Sequence, residues 1–427
     1  MKTLYPHQSE FYDRLRASMR RNRRVLGVLP TGGGKTEVFF NAAYACVKKG
    51  MRCLVLVHRT PLLEQTSARC EIEHGCIAPG YKVTSHPLQI GMVQSVGRRD
   101  MFGFDLIIVD EAHRVLASGY KRVLERNPRA YVLGMTATPQ RGDGRGLGEM
   151  FDDMVVGPDA EWLTENGYLS RVKVYVPGVI NTAKVSRAKG DFVTRELESV
   201  ASAQPIVADA VGKYRKWADG KRALVSCVSV DHCKLVAARF QEAGYRFKAV
   251  WGDMSNAERR EAITGLSDYT YQGLVYCDLF SEGVDCPSVE CGIFMRPTLS
   301  LALWDQQVGR IKRRSATGKT KTLIDLTGNT HRYGLAEWGR QWSLDTPKRR
   351  AVDEPVFQTR TCPDCYGVHK PVATCPYCGH VYQAESYIPS EVEAEMMEMT
   401  RETLMRQRAH AAHVLKARAE KMERMYA

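Results

Sequence analysis

The residues best suited to chemistry lie in a glycine-rich stretch near the N-terminus, residues 29–36, with the sequence L-P-T-G-G-G-K-T. The stretch follows an apolar run and precedes a helical pattern, which is the setting of a phosphate-binding loop. Glycines let backbone N–H groups approach phosphate oxygens, Lys35 would reach the β- and γ-phosphates, and the Thr36 hydroxyl would bind Mg²⁺. The strict pattern has a glycine where this chain has Leu29. The predicted ATP-binding residues of the loop are Thr31, Gly32, Gly33, Gly34, Lys35 and Thr36.

A pair of adjacent carboxylates supplies the second candidate group. Residues 105–113 read D-L-I-I-V-D-E-A-H, so Asp110 and Glu111 follow a strand-sized apolar run. Asp110 would hold Mg²⁺ through water, and Glu111 would orient and deprotonate the attacking water. Such a pair also occurs at ordinary exposed strand ends, so this prediction depends on the phosphate loop that precedes it.

Both stretches need a sheet that brings their loops to one edge. Apolar runs alternate with helical patterns at residues 25–29, 54–57, 106–109 and 131–135, and a second series occupies residues 223–228, 247–250, 273–277, 291–295 and 322–326. This alternation is typical of parallel sheets with crossover helices. The sequence therefore predicts an α/β fold with two such sheets in tandem.

Composition limits the classes of partner. The 427 residues include 61 Lys and Arg against 48 Asp and Glu, a net charge of +13. This balance favours a polyanionic partner such as nucleic acid. Apolar runs are far shorter than the roughly 18 residues of a membrane span, and residues 1–8 lack the apolar segment of a signal peptide. We expect a soluble cytoplasmic protein with no membrane partner.

Four cysteines near the C-terminus predict a metal site. Cys362, Cys365, Cys375 and Cys378 form two C-P-x-C knuckles, and the chain has thirteen cysteines in all. Four thiolates in this spacing suit tetrahedral Zn²⁺, with an iron–sulfur cluster or redox thiols as alternatives. Because so short a segment cannot bury a core, we expect the metal to supply its fold. His369 and His380 would be bystanders.

The order of motifs resembles that of superfamily 2 helicases of the DEAD- and DEAH-box type. Residues 110–113, D-E-A-H, match the box that gives the family its name. The other matching motifs follow in order at residues 5–8, 54–65, 91–95, 136–139, 275–285 and 306–313. The stretches 135–144 and 296–314, with the cysteine cluster, are most similar to the RadD-like group of bacterial and phage repair helicases. The resemblance covers residues 4–330.

This resemblance implies two RecA-like domains with ATP between them, in the cytoplasm of a bacterium or a phage-infected cell. Arg310 and Arg313 are three residues apart, so a helix would present both on one face, as arginine fingers for the transferred phosphoryl group. A basic surface helix is the alternative. The family's motifs also assign adenine to Gln8, and the phosphates and ribose to Gly283 and Asp285.

Further residues are assigned to coupling and to nucleic acid by the same resemblance. The coupling residues are His113, Thr136, Thr138 and Gln306, with His113 bonding to Gln306 or simply starting a helix. The strand-gripping residues are Arg59, Gln94, Ser95 and Ser226. Cys277 stands where the family has a phosphate-contacting threonine, and a thiol is a poor donor.

The predicted parts are residues 1–160 and 161–345 as the two lobes, 346–360 as a linker, 361–385 as a zinc ribbon and 390–427 as a helical tail. The predicted function is an ATP-dependent DNA helicase or translocase of repair, recombination or replication. A repair or replication protein is a candidate partner for the ribbon or the tail. The alternatives are an RNA helicase, and a nucleic-acid-stimulated ATPase that acts as a scaffold or switch.

Overall fold

The computed structural model describes residues 3–99, 101–140, 146–177, 180–188, 191–277, 289–314, 318–335, 337–345 and 359–382. Residues up to His380 belong to one compact unit, and a second unit begins at Val381. The predicted helical tail, most of the predicted linker, and the predicted nucleotide contacts Gly283 and Asp285 lie outside the described residues.

The first sheet has seven strands, all paired in parallel. They are β1 (Arg24–Val28), β2 (Cys53–Val57), β3 (Gly75–Ile77), β4 (Leu88–Met92), β5 (Leu106–Asp110), β6 (Tyr131–Thr136) and β7 (Asp153–Val156), in the order β3-β4-β2-β5-β6-β1-β7. The strands are nearly continuous apolar runs because helices cover both faces of a parallel sheet.

The helices around this sheet are α1 (Pro6–Met19), α2 (Lys35–Lys48), α3 (Thr60–Arg69), α4 (Val93–Arg98) and α5 (Ser118–Glu125), with a 3₁₀ turn at Ala112–Arg114. A further helix, α6 (Ala160–Glu165), lies between the last strand of the first sheet and the first strand of the second. Asp159 caps α6, because its Oδ1 accepts a 2.8 Å hydrogen bond from the Trp162 N–H.

The second sheet has eight strands. They are β8 (Val172–Tyr175), β11 (Ala223–Ser226), β12 (Phe247–Trp251), β13 (Gly273–Cys277), β14 (Cys291–Phe294), β15 (Lys321–Asp325), β16 (Arg360–Thr361) and β17 (Gly367–His369), in the order β12-β13-β11-β14-β15-β8-β17-β16; β9 (Arg187–Ala188) and β10 (Asp191–Phe192) form a separate pair. Its helices are α7 (Thr194–Ala201), α8 (Gln204–Ala218), α9 (Val230–Glu242), α10 (Asn256–Ser267), α11 (Leu301–Ile311) and α12 (Asn329–Tyr333).

The two sheets confirm the predicted tandem α/β architecture, and the cysteine segment differs from expectation. Strand β17 pairs antiparallel with β8, with Val368 opposite Val174, so the segment extends the second sheet. Val368 is fully buried in the core that includes Phe294 and Trp304. A segment predicted to rely on metal alone therefore also shares a hydrophobic core with its neighbour.

The fold brings the chemical motifs to the carboxyl ends of neighbouring strands. The phosphate loop follows β1, Thr136 ends β6 and Asp110 ends β5, and these three strands are adjacent. Crevices outside the carboxyl ends of parallel strands are where α/β proteins bind ligands. None of the helices in the described part of the chain combines the length and apolar character of a membrane span.

Candidate active site

The phosphate loop is shaped by two glycines in the left-handed region. Gly32 has φ +87° and Gly34 has φ +92°, values that side chains with a Cβ rarely adopt. Gly34 is the N-cap of α2, so the helix N-terminus and its free N–H groups face the loop. The Lys35 Nζ donates a 3.1 Å hydrogen bond to the Leu29 carbonyl and thereby spans the loop.

Gln8, in α1, supports the phosphate loop through a hydrogen bond. Its Nε2 donates to the Gly33 carbonyl at 3.1 Å, and its Oε1 accepts from the Tyr5 N–H at 3.0 Å. A Cβ on Gly34 would lie 2.0 Å from the Gln8 Nε2. Gln8 was predicted to contact adenine. In this structure its amide oxygen and its amide nitrogen both bond to backbone groups of the protein.

The adjacent carboxylates lie in a strained turn. Asp110 ends β5 and its Oδ1 accepts a 3.0 Å hydrogen bond from the Glu111 N–H, while Glu111 itself has φ +51°. Strained non-glycine residues persist mainly where the surrounding structure over-determines them, often at functional sites. Burial, reinforced by the Glu111 charge and opposed by Lys35, raises the pKa of Asp110 to about 7.

His113 connects the carboxylates to β6. Its Nδ1 lies 3.3 Å from the Thr136 hydroxyl and 3.4 Å from the Glu111 Oε2. The Thr136 hydroxyl in turn donates to the Thr138 carbonyl at 3.0 Å and accepts from the Thr138 N–H at 3.2 Å. Three of the four predicted coupling residues therefore form one network. Its bonds run within the first lobe, rather than to Gln306 as one reading of the sequence proposed.

The arginines reach the same place from the second lobe. Arg310 lies in α11 and is 8% exposed. Burial lowers the pKa of Lys35. The charges of Glu111 and Asp110 oppose this shift, and those of Arg313 and Arg310 add to it, so all five groups lie near one another. Burial, with a smaller effect of Arg69, lowers the pKa of Arg313 to about 10.

One expectation about the arginines is wrong. Helix α11 ends at Ile311, so Arg313 does not share a helix face with Arg310. Arg313 instead forms an isolated antiparallel bridge with Leu169, in the segment between the sheets. The helix ends because the backbone of Lys312 and Arg313 bonds to this segment, with the Ser170 N–H donating to the Lys312 carbonyl at 2.8 Å.

The two lobes are in direct contact at the loop. A Cβ on Gly309 of α11 would lie 2.4 Å from the Thr31 Cβ, so only glycine permits this approach. A pocket of about 60 Å³, partly open to solvent, lies beside this contact and is lined by both lobes, including Thr31, Gly309 and Lys312. Thr31 of the phosphate loop lines this pocket, whereas Lys35 and Asp110 do not, so the pocket adjoins the predicted phosphate site.

The predicted strand-gripping residues divide between the lobes. Arg59, just after β2, and Gln94, in the first turn of α4, are exposed, and Ser95 is half-buried. The Gln94 Nε2 donates to the His58 carbonyl at 3.4 Å. Ser226, predicted to grip the strand, is 1% exposed at the end of β11, a strand whose four residues are all buried. The Cys277 thiol donates to the Val228 carbonyl at 3.3 Å.

The four clustered cysteines converge. Their sulfur atoms all lie within 4.8 Å of one another, with Cys362 Sγ to Cys378 Sγ at 3.6 Å and Cys365 Sγ to Cys375 Sγ at 3.8 Å. A tetrahedron with metal–sulfur bonds of about 2.3 Å has edges of about 3.8 Å, so the donor set fits zinc. The His380 Nδ1 lies 2.7 Å from the Asp364 Oδ2, and the His369 Nδ1 lies 2.7 Å from the Lys370 carbonyl oxygen. None of the twelve cysteines of the described residues forms a disulfide.

The residues that support Arg313 were not predicted from the sequence. They are Leu169 and Ser170, which follow α6, and Lys321, which begins β15. No local pattern marks them, since a serine after a leucine and a lysine before an apolar run are both ordinary. A lysine at the first position of a fully buried strand was the one available signal, because such a charge needs a partner.

Two families of known domains match the chain. The family described as the res subunit of type III restriction enzymes matches residues 1–141, and the helicase conserved C-terminal domain matches residues 207–315. The first match covers the phosphate loop and the carboxylates, and the second covers Arg310 and Arg313.

Individual proteins are similar over most of the chain. A 51.5 kDa protein of a Lactococcus phage is 30% identical over 86% of this chain and 81% of its own length. The Schizosaccharomyces pombe protein irc3, whose name describes a mitochondrial ATP-dependent helicase, is 27% identical over 78% of this chain; the chain spans only 58% of irc3. The structure of the ATP-dependent type ISP restriction-modification enzyme LlaBIII bound to DNA superimposes with a TM-score of 0.58, at 18% identity, over 76% of this chain and 28% of that enzyme. This likeness shows a shared fold.

Proposed function

The chain belongs to superfamily 2 of the helicases and is an ATP-dependent enzyme of that family, and we propose that it couples ATP hydrolysis to movement along DNA or separation of its strands. Roles in repair, recombination or replication, and membership of the RadD-like group, remain predictions from the sequence.

One observation supports the coupling most strongly. Lys35 of the first lobe lies close enough to Arg310 and Arg313 of the second for both arginine charges to lower its pKa, against the larger opposing effects of Glu111 and Asp110. Three cations gathered in one partly buried site repel one another, and the two carboxylates of Asp110 and Glu111 offset only part of their charge. The arrangement is reasonable if a nucleotide polyphosphate lies among them, because its charge would offset theirs and hold the lobes together.

The residues then divide the chemistry of phosphoryl transfer. Lys35 and the N-terminus of α2 would hold the phosphates, Glu111 would take the proton of the attacking water, and the two arginines would stabilise charge on the transferred group. The oxygen donors of Thr36 and Asp110 suit Mg²⁺, which neutralises phosphate charge when bound. Burial and the neighbouring Glu111 charge raise the pKa of Asp110, and a bound cation would favour its charged form.

DNA is the proposed polymer. The family that matches the first lobe is named for restriction enzymes, a class that acts on DNA, and the net charge of +13 favours any nucleic acid. Arg59 follows β2, and Gln94 and Ser95 lie in the first turn of α4 after the neighbouring strand β4; these residues would contact phosphates rather than bases. Binding through such contacts would be steeply salt-dependent.

The test compares ATP hydrolysis rates with single-stranded DNA, duplex DNA, forked DNA and RNA, alongside a strand-displacement assay. We expect DNA to stimulate hydrolysis and a forked duplex to be separated, both lost in Lys35→Ala. Stimulation by RNA alone would exclude DNA as the substrate. Normal displacement by Lys35→Ala would contradict the coupling itself.

A second candidate is an ATPase switch that binds DNA without moving along it. Two observations favour it: Ser226 is buried, and the Cys277 thiol bonds within the second lobe. A motor needs a grip on the strand from both lobes, and neither residue offers one in this conformation. DNA-stimulated hydrolysis without displacement or directional movement would support the switch over the motor.

We propose that the cysteine cluster holds structural Zn²⁺. Two N–H groups, of Gly367 and Tyr377, approach the sulfurs of Cys365 and Cys375 at 3.4 and 3.5 Å, a usual way of stabilising thiolate ligands. Purified protein should contain one zinc per chain, and Cys365→Ser should lose it together with part of the thermal stability of the second lobe. Cys291→Ser makes the same substitution in β14, outside the cluster, and is the control that should retain zinc. Iron in place of zinc would contradict the assignment.

A further inference from the structure

We propose that Ser170 and Lys321 are positioning residues that fix the backbone of Arg313, and that residues 168–170 thereby set the distance between the arginine and the phosphate loop. The proposal rests on the proposed role of Arg313 in ATP hydrolysis, and it goes beyond that role by assigning the residues that hold Arg313 in place.

Three consecutive residues touch three parts of the candidate site. The Tyr168 ring lies 4.2 Å from the ring of His7, the neighbour of Gln8, measured between centroids. The Leu169 side chain covers the phosphate loop, since a Cβ on Gly32 would lie 2.7 Å from the Leu169 Cδ2. Ser170 bonds to the second lobe. The segment between the sheets is therefore a spacer between the two halves of the site.

The Arg313 carbonyl is the point where this spacer and the second lobe meet. It accepts a 3.1 Å hydrogen bond from the Ser170 hydroxyl and a 2.7 Å hydrogen bond from the Lys321 Nζ. Leu169 bridges the backbone of Arg313, and the Ser170 N–H bonds to the preceding carbonyl, that of Lys312. Two donors on one carbonyl leave little freedom for the peptide that carries the arginine.

Lys321 is suited to this task because it is only 1% exposed. A buried ammonium group needs a hydrogen-bond acceptor, and a bond from a charged donor is stronger than one between neutral groups. Its backbone N–H also bonds to the Arg171 carbonyl at 2.9 Å, next to Ser170 in the chain. Lys321 thus ties β15, β8 and the Arg313 peptide together at one point.

The consequence is specific to the reaction rather than to ATP binding. A misplacement of about 1 Å in a catalytic group costs roughly 100-fold in rate, whereas the phosphate loop, which binds the nucleotide, lies in the other lobe. We call the two hydrogen bonds from Ser170 and Lys321 to the Arg313 carbonyl the clamp. Loss of the clamp should therefore lower kcat and leave KM for ATP nearly unchanged, which is the signature of a contact made in the transition state.

The experiment measures DNA-stimulated ATP hydrolysis by Ser170→Ala, Lys321→Met and the double variant. We expect kcat to fall about 10-fold in each single variant and about 100-fold in the double variant, with KM for ATP within about two-fold. Ser170→Thr keeps the hydroxyl and should restore most of kcat. Lys319→Met, at an exposed position two residues before Lys321, is the matched control and should leave kcat unchanged.

Arg313→Ala separates failure of the clamp from failure of the proposed function. If Arg313→Ala loses activity while Ser170→Ala and Lys321→Met keep full kcat, the clamp is wrong and the role of the arginine stands. If Arg313→Ala keeps its activity, the proposed role of Arg313 is wrong. A rise in KM with unchanged kcat in the Ser170 or Lys321 variants would also overturn the proposal. Thermal unfolding of each variant shows whether it is folded, and Ser170→Ala tests the clamp without altering a buried charge.

Discussion

The two halves of the candidate ATP site are built in different ways. In the first lobe, one continuous segment supplies the loop, the lysine and the helix N-terminus, and two positive-φ glycines shape it locally. In the second lobe, Arg313 lies beyond the end of α11 and is held by Ser170 and Lys321 from two other segments. The first, locally encoded half lies mainly within one segment and is supported by Gln8 of α1, whereas the second, assembled half depends on contacts between segments far apart in the chain.

The largest expected effect comes from removing the Arg313 side chain, which belongs to the assembled half. Arg313→Ala should lower kcat for ATP hydrolysis by at least about 10³-fold, the lower end of the range for arginine fingers. Arg314→Ala is the matched control, because the neighbouring arginine is exposed. Steady-state hydrolysis at saturating DNA checks this prediction. Equal losses in the two variants would mean that general positive charge, rather than position, is what matters.

The next effect concerns acid stability of the second lobe. His232 is buried at the start of α9, where its Nδ1 accepts from the Val228 N–H at 3.3 Å, and burial lowers its pKa to about 4. The unfolded chain binds this proton near pH 6.5, so stability is complete above that pH and falls as the pH drops toward 4, by up to about 3 kcal/mol.

Thermal unfolding between pH 8 and pH 4.5 tests this expectation. His232→Gln retains an acceptor for the Val228 N–H and cannot be protonated, so its unfolding temperature should fall less over that range than that of the wild type. Parallel curves for the two proteins would show that His232 does not carry the pH dependence.

The smallest effect concerns the locally encoded half. Gly34→Ala should cost about 1–2 kcal/mol for placing a Cβ at φ +92°, and about 1 kcal/mol more because the Gln8 amide must leave the Gly33 carbonyl. Gly50 also has a positive φ, and a Cβ there would meet open space. Gly50→Ala should therefore lower stability only by the backbone cost of placing a Cβ at positive φ. Urea unfolding measures both.

A double variant sharpens this comparison. In a Gln8→Ala background, Gly34→Ala should cost no more than Gly50→Ala, because the clashing amide is gone. An undiminished cost in that background would mean that Gln8 does not support the loop.

The same contrast explains how much of the site could be predicted from sequence. Lys35, Asp110 and Glu111 were identified because each lies in a segment whose neighbours already define its backbone. The strand-sized runs, such as 54–57 and 273–277, match β2 and β13 for the same reason. Strands as short as β3 were missed, because three residues carry no clear period.

The assembled features could not be predicted from local patterns. Ser170 meets Arg313 across 143 residues of sequence, and no local pattern records that distance. Helix spacing placed Arg313 on a helix face, but the backbone of Lys312 and Arg313 bonds to the segment between the sheets instead. Ser226 lies in a strand that is buried on both faces, where alternation does not tell which side chains reach the surface.

The central claim is that one nucleotide is held between Lys35 and the two arginines. A structure of the protein with Mg²⁺, ADP and aluminium fluoride, a mimic of the transferred phosphoryl group, tests it most directly. We predict guanidinium nitrogens of Arg310 and Arg313 within about 2.7–2.9 Å of the mimic's fluoride atoms or of phosphate oxygens, opposite the Lys35 Nζ. Guanidinium groups turned away from a bound mimic, with the two lobes still in contact, would contradict the account.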